Sequence, residues 1–513
     1  MNKLQTIEQM EEAYIDFLVS KMDIATWEGW EVDETEIHPS SLPHQVASIK
    51  WAAKIGRGLI ASSFGLGKTH VQIELAKLTN KRTNKRHLTV APLGVRHHFI
   101  HEDGPRLGVQ FEYVTSDAEI KATTTPYLIT NYERVRDGNI NPELHNLGSV
   151  SLDEGAVLRS LGSKTYDVFG EKFSTVPYRW VATATPSPNN YREILGYADF
   201  LNVMDRGEAL TRFFQRNVDK AGDLTLIPSQ EKKFWFWVAS WALFIFKPSD
   251  LGFDDSGYDL PPMNVHWHKV PIDYDRDFGF DSWGQYRLYP DTTGGIQQSM
   301  REKRATLQSR LLKAKDIMAI DPARHYLLWH HLEDERKAIE LQIPEAVTVY
   351  GAQKLEISEQ LILDFTHGKF SILATKPQIA GSGCNFQYHC SDAIFLGVDY
   401  KFHDIIQAIH RIWRFQQKKP VNLHFIYAES EQSVVDSFKR KWRQHDELTE
   451  KMRDIVKSHG LAHYTVADGL KRSLVTSGQR IEKRGQFYTA VKNDCTLELF
   501  RLAKQAHAGN YTI

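Results

Sequence analysis

Short apolar runs recur along the chain, and most are followed by a stretch with helical spacing. The first series comprises "RGLIA" (57–61), "LTVA" (88–91), "FEYVT" (111–115), "YLIT" (127–130), "SVSLD" (149–153) and "RWVATA" (179–184). Strands that are apolar on both faces and separated by helices predict a parallel sheet covered on both sides. In the helix after the first run, Val71, Leu75 and Leu78 fall on one face. A second series begins near residue 323 with "HYLLWHH", "AVTVYG", "FSILAT", "AIFLGVD" and "NLHFIYAE". Between the two, residues 205–300 are aromatic-rich and lack regular alternation. Their most apolar run, "FWFWVASWALFIF" (234–246), has thirteen residues, too few to cross a bilayer, and reads as a buried helix. The pattern predicts an α/β chain of two tandem parallel-sheet domains with a helical insert and short helical extensions at both ends. The expected boundaries are 1–40 for a helical N-terminal segment, 41–204 and 301–437 for the two domains, 205–300 for the insert, and 438–513 for a C-terminal helix and tail.

Composition narrows the setting. A chain of 513 residues needs more than one core. The net charge of −1 supplies no whole-molecule attraction for polyanions, so a nucleic acid would have to be gripped in a local groove. Three cysteines (Cys384, Cys390, Cys495) make neither a disulfide framework nor a zinc spacing, which fits a reducing cytosol. The opening "MNKLQTIEQMEEAYIDFLVSKM" is amphipathic and acidic, unlike a signal peptide. A cytoplasmic protein with no membrane association, acting as a monomer, is expected.

The chemistry concentrates at a few strand ends. Residues 62–70, "SSFGLGKTH", follow a strand and precede a helix, the order a phosphate-binding loop requires. Gly65 and Gly67 would let the backbone approach phosphate oxygens, Lys68 would reach the outer phosphates, and Thr69 would hold Mg2+. Ser62 stands where the GxxxxGK[ST] pattern has its first glycine. The run "SVSLDEGA" ends an apolar strand with Asp153 and Glu154, adjacent carboxylates that are costly to bury unless a cation or water shares the site. Next, Thr183 and Thr185 of "VATATPSPN" could relay the state of the outer phosphate. In "QAIHRIWRFQQ", a helix would set Gln407, Arg411 and Arg414 on one face, two arginines available for transition-state charge.

The ordered set of Gln45, "GLGKT", "VAPLGV", "LITNYE", "LDEGA", "TATPSPN", "AGSGCNF" and "QAIHRIWRFQQ" resembles the superfamily-two helicases, especially the Swi/Snf-type branch, over residues 40–430. The stretches "ASIKWAAKIGRGLIASSFGLGKT" and "FWFWVASWALFIFKPSDLGFDDSGYDLPP" look closer still to helicase-like proteins of bacteriophages and mobile elements. The resemblance implies two RecA-like domains with ATP and Mg2+ between them, and DNA, double-stranded in the Swi/Snf branch, as partner. It implies that Gln45 reads adenine, that Gly65, Leu66, Gly67, Lys68, Thr69 and His70 form the phosphate loop, and that Thr69 and Asp153 serve the metal. Glu154 would be the catalytic carboxylate, Arg411 and Arg414 the arginine fingers, with Gly383 and Gln407 also at the nucleotide and Thr183 and Thr185 in coupling. Two departures bear on coupling: an acidic pair commonly occupies the Ser62-Ser63 positions, and the box reads DEGA without a final histidine.

Other signals are blander. His97 and His101 lack a glutamate in the HExxH position, and "HYLLWHHLEDE" reads as strand, loop and helix with structural histidines. Cys384 and Cys390 read as small buried hydrophobes. Residues 438–457 form a charged helix, expected to pack on the second domain, with DNA-backbone contact as the alternative. The tail "GQFYTAVKNDCTLELFR" resembles the opening of amino-methylating DNA methyltransferases, with no cofactor motif after it, and suggests a methyltransferase partner. The function implied is an ATP-dependent nucleic-acid motor, a double-stranded DNA translocase or helicase. The alternative is an ATP-gated, non-translocating scaffold that recruits a methyltransferase or nuclease.

Overall fold

The computed structural model describes residues 25–159, 162–186, 191–217, 224–273, 296–380, 385–398, 402–459, 481–484 and 487–490. The first sheet contains β1 (Arg57–Ser62), β2 (His87–Val90), β3 (Glu112–Tyr113), β4 (Tyr127–Thr130), β5 (Ser149–Asp153) and β6 (Tyr178–Thr183). After a small antiparallel hairpin of β7 (Phe214–Arg216) and β8 (Leu224–Leu226), β9 (Ala242–Ile245) completes it. The order is β3-β4-β2-β5-β6-β1-β9, and every neighbouring pair is parallel. A second all-parallel sheet joins β10 (Met263–Val270), β11 (His325–Trp329), β12 (Val347–Val349), β13 (Ile372–Thr375), β14 (Cys390–Phe395) and β15 (Val421–Ala428) in the order β10-β15-β14-β11-β13-β12. This is the expected α/β class, two tandem parallel sheets with helices on their faces. The buried faces of the strands make the cores: Trp180 on β6 is fully buried and donates from its indole Nε1 to Ala52 O at 2.8 Å.

The run at 234–246 corrects the expectation of one buried helix. Its first part continues the helix Glu231–Ala239, and its second part is β9. Ser240 ends the helix, donating from Oγ to Trp237 O (2.7 Å) while Ala25 N donates to that same hydroxyl (3.2 Å). The backbone beyond it is taken up by β1, with Leu59 N on Trp241 O at 3.0 Å and Ser63 N on Ile245 O at 2.8 Å. The strand carrying the phosphate loop is thereby flanked on both sides. Further along the 205–300 stretch, β10 pairs with β15 over eight residues, so this region also contributes an edge strand to the second sheet.

A long helix, Gln432–His459, runs out of the second core. Val434, Val435 and Phe438 are buried there. Farther along, Lys451 Nζ meets Glu231 Oε1 at 2.7 Å and Arg453 Nε meets the buried Asp250 Oδ1 at 2.9 Å, so the helix ties the two halves together. Residues 1–24 lie outside the described residues; among described positions 25–40 the only helical turn is Glu34–Glu36. Of the C-terminal tail, the strand Phe487–Ala490 is described and pairs antiparallel with Ile481–Arg484; residues 491–513, Cys495 included, lie outside the described set. Among the described residues no helix is long and apolar enough to cross a membrane.

Candidate active site

Strand β1 delivers the chain into the loop, and the helix Lys68–Thr83 begins at its end. Gly65 and Gly67 have φ of 87° and 81°, a region that costs other residues strain. Space is equally limiting: a Cβ on Gly67 would lie 2.2 Å from Gln45 Nε2, and one on Gly65 2.9 Å from Phe415 Cβ. Gln45, on the helix Pro43–Ile55, is oriented by Leu42 N donating to its Oε1 at 2.9 Å, and its Nε2 lies 3.5 Å from Leu66 O. Lys68 Nζ donates to Ser62 O (2.9 Å) and Ser63 O (3.4 Å), so its charge rests on loop carbonyls rather than on a carboxylate. Thr69 and His70 occupy the next helical positions; His70 is buried, its Nε2 2.7 Å from Ser41 Oγ. Burial, then the Arg106 charge, pushes the His70 imidazole down to about 4.

Two strands away, β5 ends at Asp153. The side chain accepts from Gln72 Nε2 at 2.7 Å, and its backbone carbonyl accepts from Tyr132 Oη at 2.7 Å. Burial and the adjacent Glu154 charge push the Asp153 carboxyl up to about 6. Glu154 turns out of the strand with φ 51°, a left-handed conformation that costs a non-glycine residue on the order of 1–2 kcal/mol. Its Oε2 is buried and has no hydrogen-bond partner. A Cβ on Gly155 would lie 2.3 Å from Val181 Cγ1, which gives a steric reason for glycine as the third residue of the DEGA box. Left-handed backbone and an unmet acceptor coincide at Glu154, at the end of a well-packed strand, and make it a candidate site residue.

The second half brings its arginines to the same place. Burial lowers the Lys68 pKa, the charges of Glu154 and Asp153 oppose that, and those of Arg414 and Arg411 add to it. All four residues are therefore within electrostatic reach of the Lys68 ammonium. The expected helix through Gln407, Arg411 and Arg414 is corrected, however. The helix Phe402–Ile409 carries Gln407 and stops, and both arginines sit in the turns that follow. Tertiary bonds claim the carbonyls a longer helix would need: Phe386 N donates to Arg411 O (3.2 Å) and Gln417 Nε2 to Ile412 O (3.0 Å). Thr183 and Thr185, at the end of β6, bond each other (Thr185 N to Thr183 Oγ1, 3.1 Å), and Arg159 Nη1 donates to Thr185 O at 3.0 Å. Gly383 and Cys384 lie outside the described residues; Cys390 is buried, and burial pushes its thiol up to about 12.

Residues 44–225 match the SNF2-related domain. The match spans the phosphate loop, the DEGA box and the first six strands of the sheet. Over 85% of its length the chain is similar in structure to the SWI2/SNF2 ATPase core of Sulfolobus solfataricus in complex with dsDNA, at 16% identity and a TM-score of 0.39, with 99% of that chain covered. No curated protein matches the chain. Within the SNF2-related segment, sequence reasoning passed over Gln72 and His44. Gln72 lies four residues after Lys68, the helical spacing that faces it toward β5 and Asp153. His44, beside Gln45, has its Nε2 3.3 Å from Leu66 O and 3.4 Å from Tyr258 Oη. Phe64, His410 and Phe415 were also passed over, since their contacts cross between the two halves.

Proposed function

We propose that the chain is an ATP-dependent motor on double-stranded DNA that hydrolyses ATP between its two sheets. The observation that carries this reading is that Lys68 of the loop and Arg411 of the second half lie 5.1 and 5.9 Å from the centre of one ring, Phe64, while the Asp153 and Glu154 charges act on that lysine. The residues fit a magnesium nucleotide: a glycine cradle at Gly65 and Gly67, a lysine resting on carbonyls, and a buried carboxylate oxygen that lacks a partner. Thr69 and Asp153 would hold the Mg2+, which when bound supplies charge neutralisation to the transferring phosphoryl group. In this reading Gln45 recognises the base, and Lys68 and the loop amides hold the phosphates. Glu154 orients and deprotonates the attacking water, and Arg411 and Arg414 stabilise the charge that develops on the transferred group. The resemblance to Swi/Snf-type motors supports duplex DNA as the track, gripped through its phosphates with little sequence preference.

Turnover measured with single- and double-stranded DNA and RNA tests this. Duplex DNA should stimulate most, Lys68→Ala should abolish turnover, and Arg414→Ala should lower it by about a thousandfold or more while ATP still binds. Undiminished turnover in Lys68→Ala would end the assignment of the loop. One observation favours a second reading, an ATP-gated scaffold: the helix Gln432–His459 ties the halves through Arg453–Asp250 and Lys451–Glu231, contacts that resist reopening. Displacement of a third DNA strand separates the two, since only a translocase strips it in an ATP-dependent way.

A further inference from the structure

The phosphate loop is in contact with the second half of the molecule before any nucleotide is considered. The Phe64 ring stacks on the His410 ring, with centroids 4.1 Å apart and planes at 16°. The Lys68 ammonium lies 5.1 Å from the Phe64 ring centre and the Arg411 guanidinium 5.9 Å from it. One residue on, Phe415 Cβ fills the space a side chain on Gly65 would need. Phe64 thus stacks on the histidine that ends the second-half helix and lies within cation–π range of the loop lysine and of the arginine that follows that histidine.

We infer that Phe64 and His410 form an interdomain positioning pair that fixes Arg411 against the phosphate loop. Phe64 sits between Ser63 and Gly65, so a shift of the loop backbone carries its ring along. His410 directly precedes Arg411 and is pinned by its Nδ1, 3.0 Å from Trp413 O, so a shift of its ring carries the arginine. Offset stacking of two flat rings permits sliding but resists separation, and both cations lie within cation–π range of the Phe64 ring. His410 is partly buried, and burial pushes its imidazole down to about 3, so the pair stacks as two neutral rings near neutral pH. The pair rests on the ATPase reading only for its catalytic consequence; the contact itself stands on geometry.

Two measurements test it separately. Hydrogen exchange on the nucleotide-free chain reads the contact alone. In His410→Leu, a peptide covering the loop should exchange about tenfold faster than in the parent, while peptides from β2 and β4 stay unchanged. Equal loop protection in both proteins would overturn the pair whether or not the chain hydrolyses ATP. The second measurement is steady-state ATPase kinetics. Phe64→Leu and His410→Leu should each lower kcat about tenfold, a barrier change of about 1.4 kcal/mol, with KM for ATP within about twofold. The double variant should be no slower than either single, and the exchanged pair Phe64→His with His410→Phe should recover most of the loss. Additive losses, or a loss in KM alone, would overturn the positioning role. Absence of turnover in the parent would instead count against the ATPase reading and leave the exchange result to decide the pair.

Discussion

Two buried clusters of acidic and basic side chains are arranged in opposite ways. In the second half, Arg310 and Glu431 are both fully buried and meet at 2.5 Å. Arg310 also donates to Thr306 Oγ1 (2.8 Å), Leu396 O (2.8 Å) and Ile426 O (3.3 Å), and Glu431 accepts from Ala428 N at 3.0 Å. In the first half, Asp153 and Glu154 put two acids side by side; Gln72 donates to Asp153, and the nearby Lys68 ammonium rests on the loop carbonyls. The first cluster pairs its acid directly with its base, even though Glu431 Oε1 has no hydrogen-bond partner, and fastens a helix and two strand ends. In the second, the buried Glu154 Oε2 has no hydrogen-bond partner and the lysine rests on carbonyls although basic and acidic groups lie near each other, an arrangement that suits a site able to take a cation and a phosphate.

Substitutions can break or sharpen this contrast. The largest effect is expected at the first cluster, where Arg310→Ala strands a buried carboxylate. Denaturant unfolding should show a loss of about 3–5 kcal/mol. Arg310→Met combined with Glu431→Leu should restore most of it, since removing both charges removes the penalty. At the second cluster the sign reverses. The Asp153 carboxyl, pushed up to about 6, keeps a proton in the folded chain that the unfolded chain releases near 3.8. Stability therefore falls as pH rises from about 4 to about 6 and stays lower above. Asp153→Asn should stabilise the nucleotide-free protein by on the order of 2 kcal/mol at pH 7.5 and change little at pH 4. A destabilised Asp153→Asn at pH 7.5 would place this acid with the supports. The smallest effect is expected at the helix tie: Lys451→Ala should cost below about 1 kcal/mol, because both partners are substantially exposed.

Much of this was legible from the sequence, and the misses have physical causes. "YLIT" and "SVSLD" coincide with β4 and β5 because they are apolar runs of strand length with polar turns on either side. The all-apolar run at 234–246 has no period that separates helix from strand, and only the β1 ladder decides where Ser240 splits it. The strand β10 does alternate, with Met263, Val265 and Trp267 between polar residues, but His266 and His268 blurred the pattern. The arginine segment keeps helical spacing yet leaves the helix, because Phe386 and Gln417 compete for its carbonyls. Motif order led to the expectation that Lys68, Asp153 and Glu154 lie close together, and the Asp153 and Glu154 charges do act on Lys68. The Phe64–His410 stack and the Arg310–Glu431 pair join residues far apart in the chain, and no local pattern encodes them.

The central claim is that the adjacent acids Asp153 and Glu154 at the end of β5 are the hydrolytic half of an ATP site. Glu154→Gln removes one charge and keeps the side-chain shape, so single-turnover ATP hydrolysis with duplex DNA, beside a binding titration with a fluorescent ATP analogue, tests it most directly. The account predicts turnover lower by about a hundred- to ten-thousandfold with binding within about threefold of the parent. Turnover equal to the parent's would contradict it.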